Sequence, residues 1–284
     1  MDFFLHLVVT IGLWIPISMG YTLLFGKGQV MHFGPIGVSV ACGYAIFVTL
    51  GATGSYIAGI AMGILVGTAV SLIFAWLALR LENDGLGVMS IAVHLAAMVI
   101  VLNWTDVTRG ALGIPRIPRM PFLETLPMFA LAVTLASLFW IALFVWADRS
   151  ALGRQMQALS ESESFAKAMG VSRAKVHTIA FVLLGLAIVS DNVFFAQYIH
   201  LLHPNDYHFP TFIFLLAIVV AGKPGSMVGA VLSSILLVLL REGLRFIDLP
   251  ISVLGPMRLL LFGVILLTAV YVRRDTLFPQ KRTV

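Results

Sequence analysis

Residues 28–79 read GQVMHFGPIGVSVACGYAIFVTLGATGSYIAGIAMGILVGTAVSLIFAWLAL, and none of these 52 residues is Asp, Glu, Lys or Arg. A membrane-spanning helix needs about 20 predominantly apolar residues, so the run is long enough for two spans. The sequence Gly-Ala-Thr-Gly-Ser at 51–55 is the expected break between them. The stretch therefore predicts a chain that lies in a membrane.

The composition of the whole chain supports this prediction. Of the 284 residues, 60% are hydrophobic and only 11% are charged, and the mean hydropathy is +1.02. Soluble domains have about 25% charged residues, so a soluble globular protein is excluded. The apolar segments lack the two-residue alternation that barrel strands show. Helices are then the structure that can satisfy the hydrogen-bonding groups of the backbone in lipid. We predict one transmembrane domain over residues 1–284, an all-α bundle of about eight or nine helices.

The predicted spans follow the uncharged runs of the sequence. They cover about 3–25, 31–50, 56–79, 86–104, 125–147, 176–197, 211–222, 225–245 and 255–272. The segment 211–222 is short and ends at Gly-Lys-Pro-Gly, which predicts a broken helix. A second glycine-rich joint, 26–38, resembles the joint at 222–231. The pair indicates either an inverted repeat or a chance likeness of two glycine-rich loops.

The distribution of Lys and Arg predicts the orientation. The 148–175 loop holds five basic residues and the tail holds Arg273, Arg274, Lys281 and Arg282, so both are expected in the cytoplasm. The 198–210 loop holds none and is expected outside, as is the N-terminus. The 105–124 loop, with three arginines, disagrees with its predicted outer position. The opening residues have neither a basic region nor a cleavage site, which predicts a retained first span rather than a signal peptide.

The most polar segment of the chain is Gly153–Lys175. Ser160 and Glu163 have the spacing of a capping box, which predicts a helix over about 161–169 with acidic residues in its first turn. Phe165 and Met169 are four residues apart and share one face. Gly170 is placed to end the helix in the left-handed conformation, and Ser172 to cap the next one. Such a helix is either a simple connection between spans or a docking element for a soluble partner.

This segment resembles the cytoplasmic coupling loop of the branched-chain amino acid permease family of ABC importers, on its M-type side. The family pattern is Gly-Arg-x-x-x-Ala-Ile-Arg-Glu-Asp-Glu-x-Ala-Ala-x-Ala-x-Gly, and the matching residues are Gly153, Arg154, Ala158, Glu161, Glu163, Ala166, Ala168 and Gly170. Further stretches resemble the family in the same order along the chain: 28–44, 102–118, 219–245 and 258–279.

The resemblance implies a multi-pass permease subunit in a bacterial or archaeal cytoplasmic (inner) membrane. Its implied partners are a second permease of the H-type, two cytoplasmic ATPases and a periplasmic or lipoprotein solute-binding protein. The implied solute is a branched-chain or other amino acid. ATP is used by the partners; this chain is expected to bind no cofactor and to be no enzyme, since it lacks a Walker sequence. The coupling loop is about 148–175, and the implied ATPase-coupling residues are Gly153, Arg154, Glu161, Glu163, Phe165, Ala166 and Gly170.

The chain departs from the family pattern at several positions. Ser160 and Ser162 stand where the family has charged residues, and Asp191 and Asn192 stand in mid-span where it has small residues. An ionisable residue inside the membrane marks a candidate pathway. The possible pore-lining residues are Asp191, Asn192, His94 and His32, and satisfied interior packing is the alternative for each.

Other kinds of site have weaker support in the sequence. The single cysteine, Cys42, allows no intrachain disulfide and no cysteine metal cluster. The histidines of the 200–208 loop are interpreted as polar loop residues, so no metal site is expected. The net charge of +5 is spread over loops and tail and indicates no nucleic-acid partner. An ion-coupled secondary transporter or channel remains the alternative function, because Asp191 could serve such a mechanism.

Overall fold

The computed structural model describes residues 2–246 and 251–272. Its architecture is a bundle of α-helices, as predicted. Within these described residues, six helical segments are long and apolar enough to cross a membrane: α1 with its π-helical end (Asp2–Tyr21 and Thr22–Lys27), α2 (Gly34–Thr53), α3 (Tyr56–Arg80), α4 (Asn83–Asn103), α6 (Leu126–Arg149) and α9 (Arg173–Ile199).

The described residues form six further α-helices. They are α5 (Thr105–Thr108), α7 (Ala151–Glu161), α8 (Glu163–Ala168), α10 (Phe209–Ala221), α11 (Met227–Gly243) and α12 (Ile251–Val272). Helix α10 has only 13 residues, which confirms the short span predicted at 211–222. The basic tail residues used to predict the orientation, Arg273, Arg274, Lys281 and Arg282, lie outside the described residues.

A stripe of small residues lets α3 approach its neighbours closely. Gly59, Gly63, Gly67 and Ser71 recur every four residues and are all buried. A Cβ atom added at Gly63 would lie 2.3 Å from the Ile46 side chain of α2. One added at Gly67 would lie 2.5 Å from the Val189 side chain of α9. Because lipid supplies no hydrophobic force between helices, such close packing holds the α2–α3–α9 core together.

Both predicted glycine-rich joints are breaks in helical structure, and they touch each other. Residues 28–33 are non-helical between the π-helix and α2, and residues 222–226 separate α10 from α11. A Cβ atom added at Gly26 would lie 1.8 Å from the backbone nitrogen of Gly225, which has φ +84°. The Gly225 N–H donates to the Thr22 hydroxyl over 3.1 Å. The joints therefore need glycine because two backbones meet there.

A two-residue β-pair fixes two loops at one end of the bundle. Strand β1 (Ile114–Pro115) pairs antiparallel with β2 (Leu201–Leu202). The arginine-bearing loop 105–124 thus lies beside the 198–210 loop, the position that the span order predicts despite its charge. We call this the β-pair end. Helices α7 and α8, which precede α9, lie at the opposite end, called the α8 end.

The small-residue stripe predicts a stability difference between two glycine variants. Gly67→Val should lower the free energy of unfolding by about 1–3 kcal/mol, because its side chain would overlap Val189. Gly51→Val is the matched control, since nothing lies within 4 Å of a Cβ atom at that helical glycine. Melting temperatures of the purified variants in detergent test the difference. Equal melting temperatures would contradict the role of the stripe.

Candidate functional site

A cavity of about 370 Å³ lies between helices α1, α2, α9, α10 and α11. The turn at Pro204–Tyr207 closes one side of it. The lining residues are His6, Thr10, Leu13, Trp14, Ile17, Pro35, Ile36, Ser39, Asp191, Asn192, Phe195, Tyr198, Ile199, Asn205, Asp206, Tyr207, Thr211, Leu215 and Arg241. The cavity thus gathers residues that are as much as 235 positions apart in the sequence.

Asn192 organises one wall of the cavity. Its amide nitrogen donates to the Ser39 hydroxyl over 2.7 Å and to the Ile188 carbonyl over 2.9 Å. Its side-chain oxygen accepts from the Tyr207 hydroxyl over 2.7 Å. A Cβ atom at Gly43 would lie 2.7 Å from both of the latter oxygens, so glycine leaves room for this bond. Burial of the amide is compensated by these hydrogen bonds.

Asp191 lies on the cavity surface and is half-buried. It precedes the end of α9 by eight residues, which places it about 12 Å below the β-pair end. Within the described part of the chain, no hydrogen bond or ion pair engages its carboxylate. Asp191 and Leu13 also line a narrow crevice between α1, α6 and α9. The two predicted pore-lining residues of α9 are therefore together in one cavity.

A polar cluster marks the cavity near the β-pair end. His6 contacts the Tyr198 hydroxyl over 2.5 Å and the buried Glu242 carboxylate over 3.1 Å. The Arg241 guanidinium also contacts Glu242, over 3.4 Å, and lies over the Trp14 and Phe214 rings. Glu242 of α11 contacts His6 of α1, and His6 also contacts Tyr198 of α9. The cluster therefore joins these three helices.

Part of the histidine-rich loop 200–208 forms the turn beside the cavity. His203 and Asp206 form a reciprocal capping box, in which Asp206 accepts the His203 N–H over 3.3 Å. Burial raises the pKa of the Asp206 carboxyl, and the His203 N–H partly opposes that rise. Among the described residues, no group of three or more His, Cys, Asp or Glu side chains could hold a metal ion. Asp206 and His203 instead shape the turn that presents Tyr207.

His32 and His94 are buried outside the cavity lining. The Gly34 N–H donates to His32 Nδ1 over 3.1 Å, and the ring packs near Phe181. His94 packs against Gly37 of α2. The structure thus separates these two histidines from Asp191 and Asn192, and a pore-lining role for them stays a prediction.

The coupling loop forms two helices rather than one, and its predicted cap is wrong by two residues. Ser150 caps α7, so the helix already contains Ser160, whose hydroxyl donates to the Gln157 carbonyl over 2.8 Å. Glu161 is the last residue of α7 and not in a first turn. The cap of α8 is Ser162, whose hydroxyl accepts the Phe165 N–H over 3.4 Å.

The second half of the predicted motif agrees with the structure. Glu163 lies in the first turn of α8, and Gly170 has φ +82° in the left-handed region that ends the helix. Ser172 caps α9, since its hydroxyl accepts the Lys175 N–H over 3.4 Å. Ala166 is the buried contact of α8. Phe165 and Met169 are 68% and 71% exposed, which leaves an apolar surface at the α8 end.

Glu163 ties α8 to two membrane-spanning helices. Its carboxylate accepts two hydrogen bonds of 3.1 Å from Arg173 and pairs with Lys167 over 2.6 Å. Arg173 also donates to the Ala78 carbonyl of α3 over 2.8 Å. The hydrogen bond from Lys167 lowers the pKa of Glu163, and the Arg173 charge acts in the same direction. The Glu163 carboxylate of α8 is thus held ionised, and Arg173 connects it to α9 and α3.

Helix α7 is fixed to the first glycine-rich joint. Lys27 pairs with the Asp148 carboxylate at the end of α6. The Met156 side chain packs on Gly28, where a Cβ atom would lie 2.7 Å from its methyl carbon. Gly153 lets α7 approach the end of α6 closely, because a Cβ atom there would lie 2.0 Å from the Asp148 carbonyl oxygen. Arg154 donates to the Arg149 carbonyl over 2.8 Å, at the same corner.

The sequence also matches known proteins. A sequence model of the family described as "Branched-chain amino acid transport system / permease component" matches residues 3–270. The chain belongs to this permease family.

Two curated relatives are similar to the permease over most of its length. The high-affinity branched-chain amino acid transport system permease protein LivM of Escherichia coli K12 is 26% identical, over 90% of this chain and 65% of the relative. The LivM protein of Salmonella typhimurium LT2 is 27% identical, over 69% of this chain and 53% of the relative. The chain therefore spans less than two thirds of either relative's length. No solved structure gives a significant match.

Several residues of the permease site gave no clear signal in the sequence. Lys27 and Asp148 are single charges at span ends, and nothing in their spacing shows that they pair. Tyr207 lies in a polar loop, and its contact with Asn192 depends on the path of that loop. The one clue to the Tyr207 contact in the sequence is Gly43, a small residue that interrupts an apolar span next to the larger Tyr44.

The wall around Asn192 predicts a difference between two tyrosine variants of the permease. Tyr207→Phe should cost about 1–3 kcal/mol of unfolding free energy, because it leaves the buried Asn192 oxygen without its donor. Tyr44→Phe is the matched control, since no described residue hydrogen-bonds its buried hydroxyl. Melting temperatures in detergent distinguish the two. A loss of equal size in both variants would show that the Asn192 bond contributes nothing.

Proposed function

We propose that this permease is one transmembrane subunit of an ATP-driven importer for an amino acid. The observation that carries the proposal is the exposed apolar pair, Phe165 and Met169, on a helix bonded to two spans. An exposed apolar knob on a short helix suits docking into a groove of a soluble partner. In the proposed assembly this partner is an ATPase, so the α8 end faces the cytoplasm.

The contacts of the coupling loop support a route for movement. Force on α8 reaches α9 and α3 through Arg173. Force on α7 reaches the first joint through the Lys27–Asp148 ion pair and the Met156–Gly28 contact. The helices on either side of the two joints line the cavity. Docking and release of an ATPase would thereby rock the cavity walls between two packed arrangements.

The proposed assembly needs further subunits. A second permease of related sequence, two ATPases and a solute-binding protein outside the membrane would complete it in the inner membrane of a prokaryote. The cavity near the β-pair end would receive the solute, and a branched-chain amino acid is the first candidate because both relatives carry that name. The permease itself would contribute a path and a docking surface, and ATP would be hydrolysed by its partners.

The docking surface can be tested in the assembled transporter. Phe165→Ala/Met169→Ala should reduce ATP-driven leucine uptake into proteoliposomes by about tenfold or more, since buried aromatic anchors dominate such interfaces. Stimulation of the ATPase by the loaded binding protein should fall in parallel. Phe122→Ala is the matched control, because this side chain is 71% exposed at the β-pair end. Its uptake should be unchanged.

Two outcomes would overturn the proposal. Normal uptake and ATPase stimulation in the double variant would remove the docking role of α8. Leucine uptake without ATP, driven by a sodium or proton gradient, would instead favour an ion-coupled secondary transporter.

A further inference from the structure

The charged groups that line the cavity differ in whether they already have a partner. Its carboxylates are Asp191 and Asp206, and its guanidinium is Arg241. Arg241 contacts the Glu242 carboxylate, and His6 contacts the same acid. Asp206 accepts the N–H of His203 within its turn. Asp191 is therefore the acid that faces the cavity without a partner among the described residues.

The neighbours of Asp191 leave its carboxylate available. Asn192, Ser39 and Tyr207 are hydrogen-bonded in a chain, so the Asn192 amide and the Tyr207 hydroxyl already have partners. The facing surfaces of α1, α2 and α10 supply aliphatic side chains, namely Leu13, Ile17, Ile36 and Leu215. An unpaired carboxylate in such surroundings is costly in a membrane. A cationic group that entered the cavity would offset that cost.

The geometry favours an organic cation over a metal ion. Asp191 lies inside the continuous helix α9, whose carbonyl groups are used by the helix itself. Sodium sites in transporters use carbonyls freed by unwound backbone, which this part of α9 does not offer. No cluster of three acidic or histidine ligands occurs among residues 2–246 and 251–272. One carboxylate beside an aliphatic wall matches an ammonium group on a short apolar body.

We propose that Asp191 is the subsite that binds the ammonium group of the solute, while the wall of Leu13, Ile17, Ile36 and Leu215 receives its apolar part. The inference rests on the proposed function, since it assumes that the cavity belongs to the solute path. It assigns the solute a positive amine, and it makes Asp191 a specificity-determining residue.

Thiol labelling tests the charge of the cavity without any transport. Leu13→Cys, in a Cys42→Ser background, places one thiol beside Asp191 in the assembled transporter in nanodiscs. Its rates with trimethylammonium-ethyl and sulfonatoethyl methanethiosulfonate give a cation-to-anion ratio. Asp191→Asn should reduce this ratio about tenfold, because a nearby charge is removed from a poorly screened site. Asp106→Asn, which removes an exposed acid of the same end outside the cavity, should leave it unchanged.

Protection from labelling tests the ligand. With the neutral reagent methyl methanethiosulfonate, 3-methylbutylamine should slow labelling of the Leu13→Cys thiol, and 3-methylbutan-1-ol should not at the same concentration. Asp191→Asn should abolish the protection by the amine. Ile17→Cys provides a second reporter on the same wall if Leu13→Cys does not assemble.

The outcomes separate this inference from the proposed function. An unchanged labelling ratio in Asp191→Asn, equal protection by amine and alcohol, or protection by sodium ions alone would each overturn the ammonium subsite. If leucine uptake is absent while the amine still protects through Asp191, the subsite stands and the amino-acid importer falls. If uptake is normal and the labelling ratio does not depend on Asp191, the importer stands and the subsite falls.

Discussion

The close meeting of two broken backbones is the constraint on which the rest of the permease depends. Interrupting a helix inside a membrane frees N–H and C=O groups that lipid cannot satisfy. Here side chains satisfy one such group at each break: the Gly225 N–H donates to the Thr22 hydroxyl, and the His32 carbonyl accepts from the Tyr21 hydroxyl over 2.8 Å. Because Gly26 and Gly225 lie in contact, α1, α2, α10 and α11 meet at one point. These four helices form most of the cavity.

The same point is joined to the coupling loop. Lys27 and Gly28 follow Gly26 directly, and they contact Asp148 and Met156. The cavity and helix α7 of the coupling loop are thus separated by one tightly packed joint rather than by a flexible linker. Packed interfaces of this kind have discrete arrangements, which suits the proposed movement of the cavity walls.

The helical class and the span positions could be predicted from sequence because they depend on local composition. The uncharged stretch 28–79 specifies α2 and α3, and the Gly-Lys-Pro-Gly joint specifies the end of α10. The cap of α8 could not be located reliably, since Ser160, Ser162 and Glu163 allow competing registers. In the structure α7 extends through Glu161, so Ser160 is inside that helix and Ser162 caps α8. That choice also explains one departure from the family pattern, because serine and the family's aspartate are both good N-caps.

The cavity illustrates what local patterns cannot predict. Asp191 and Asn192 were candidates because polar residues are rare in spans, and the structure brings both to the cavity surface. Tyr207 and Ser39 join them only through the tertiary fold. His32 and His94 carried the same local signal, but His32 in the joint before α2 and His94 in α4 are buried outside the cavity lining. Polarity within a predicted span therefore identifies candidates, and the place of each side chain in the tertiary fold separates them.

Arg173 gives the coupling loop a mechanical property. Through one guanidinium it closes the last turn of α3 at Ala78 and grips Glu163 at the start of α8. A displacement of α8 longer than a hydrogen bond would break the Glu163 contact and leave Arg173 of α9 bonded to Ala78 of α3. Small displacements should therefore carry α3 and α9 along with α8 as a stiff body, and larger ones should detach it. The loop should therefore transmit small movements of α8 to the membrane-spanning helices and release α8 when the movement is large.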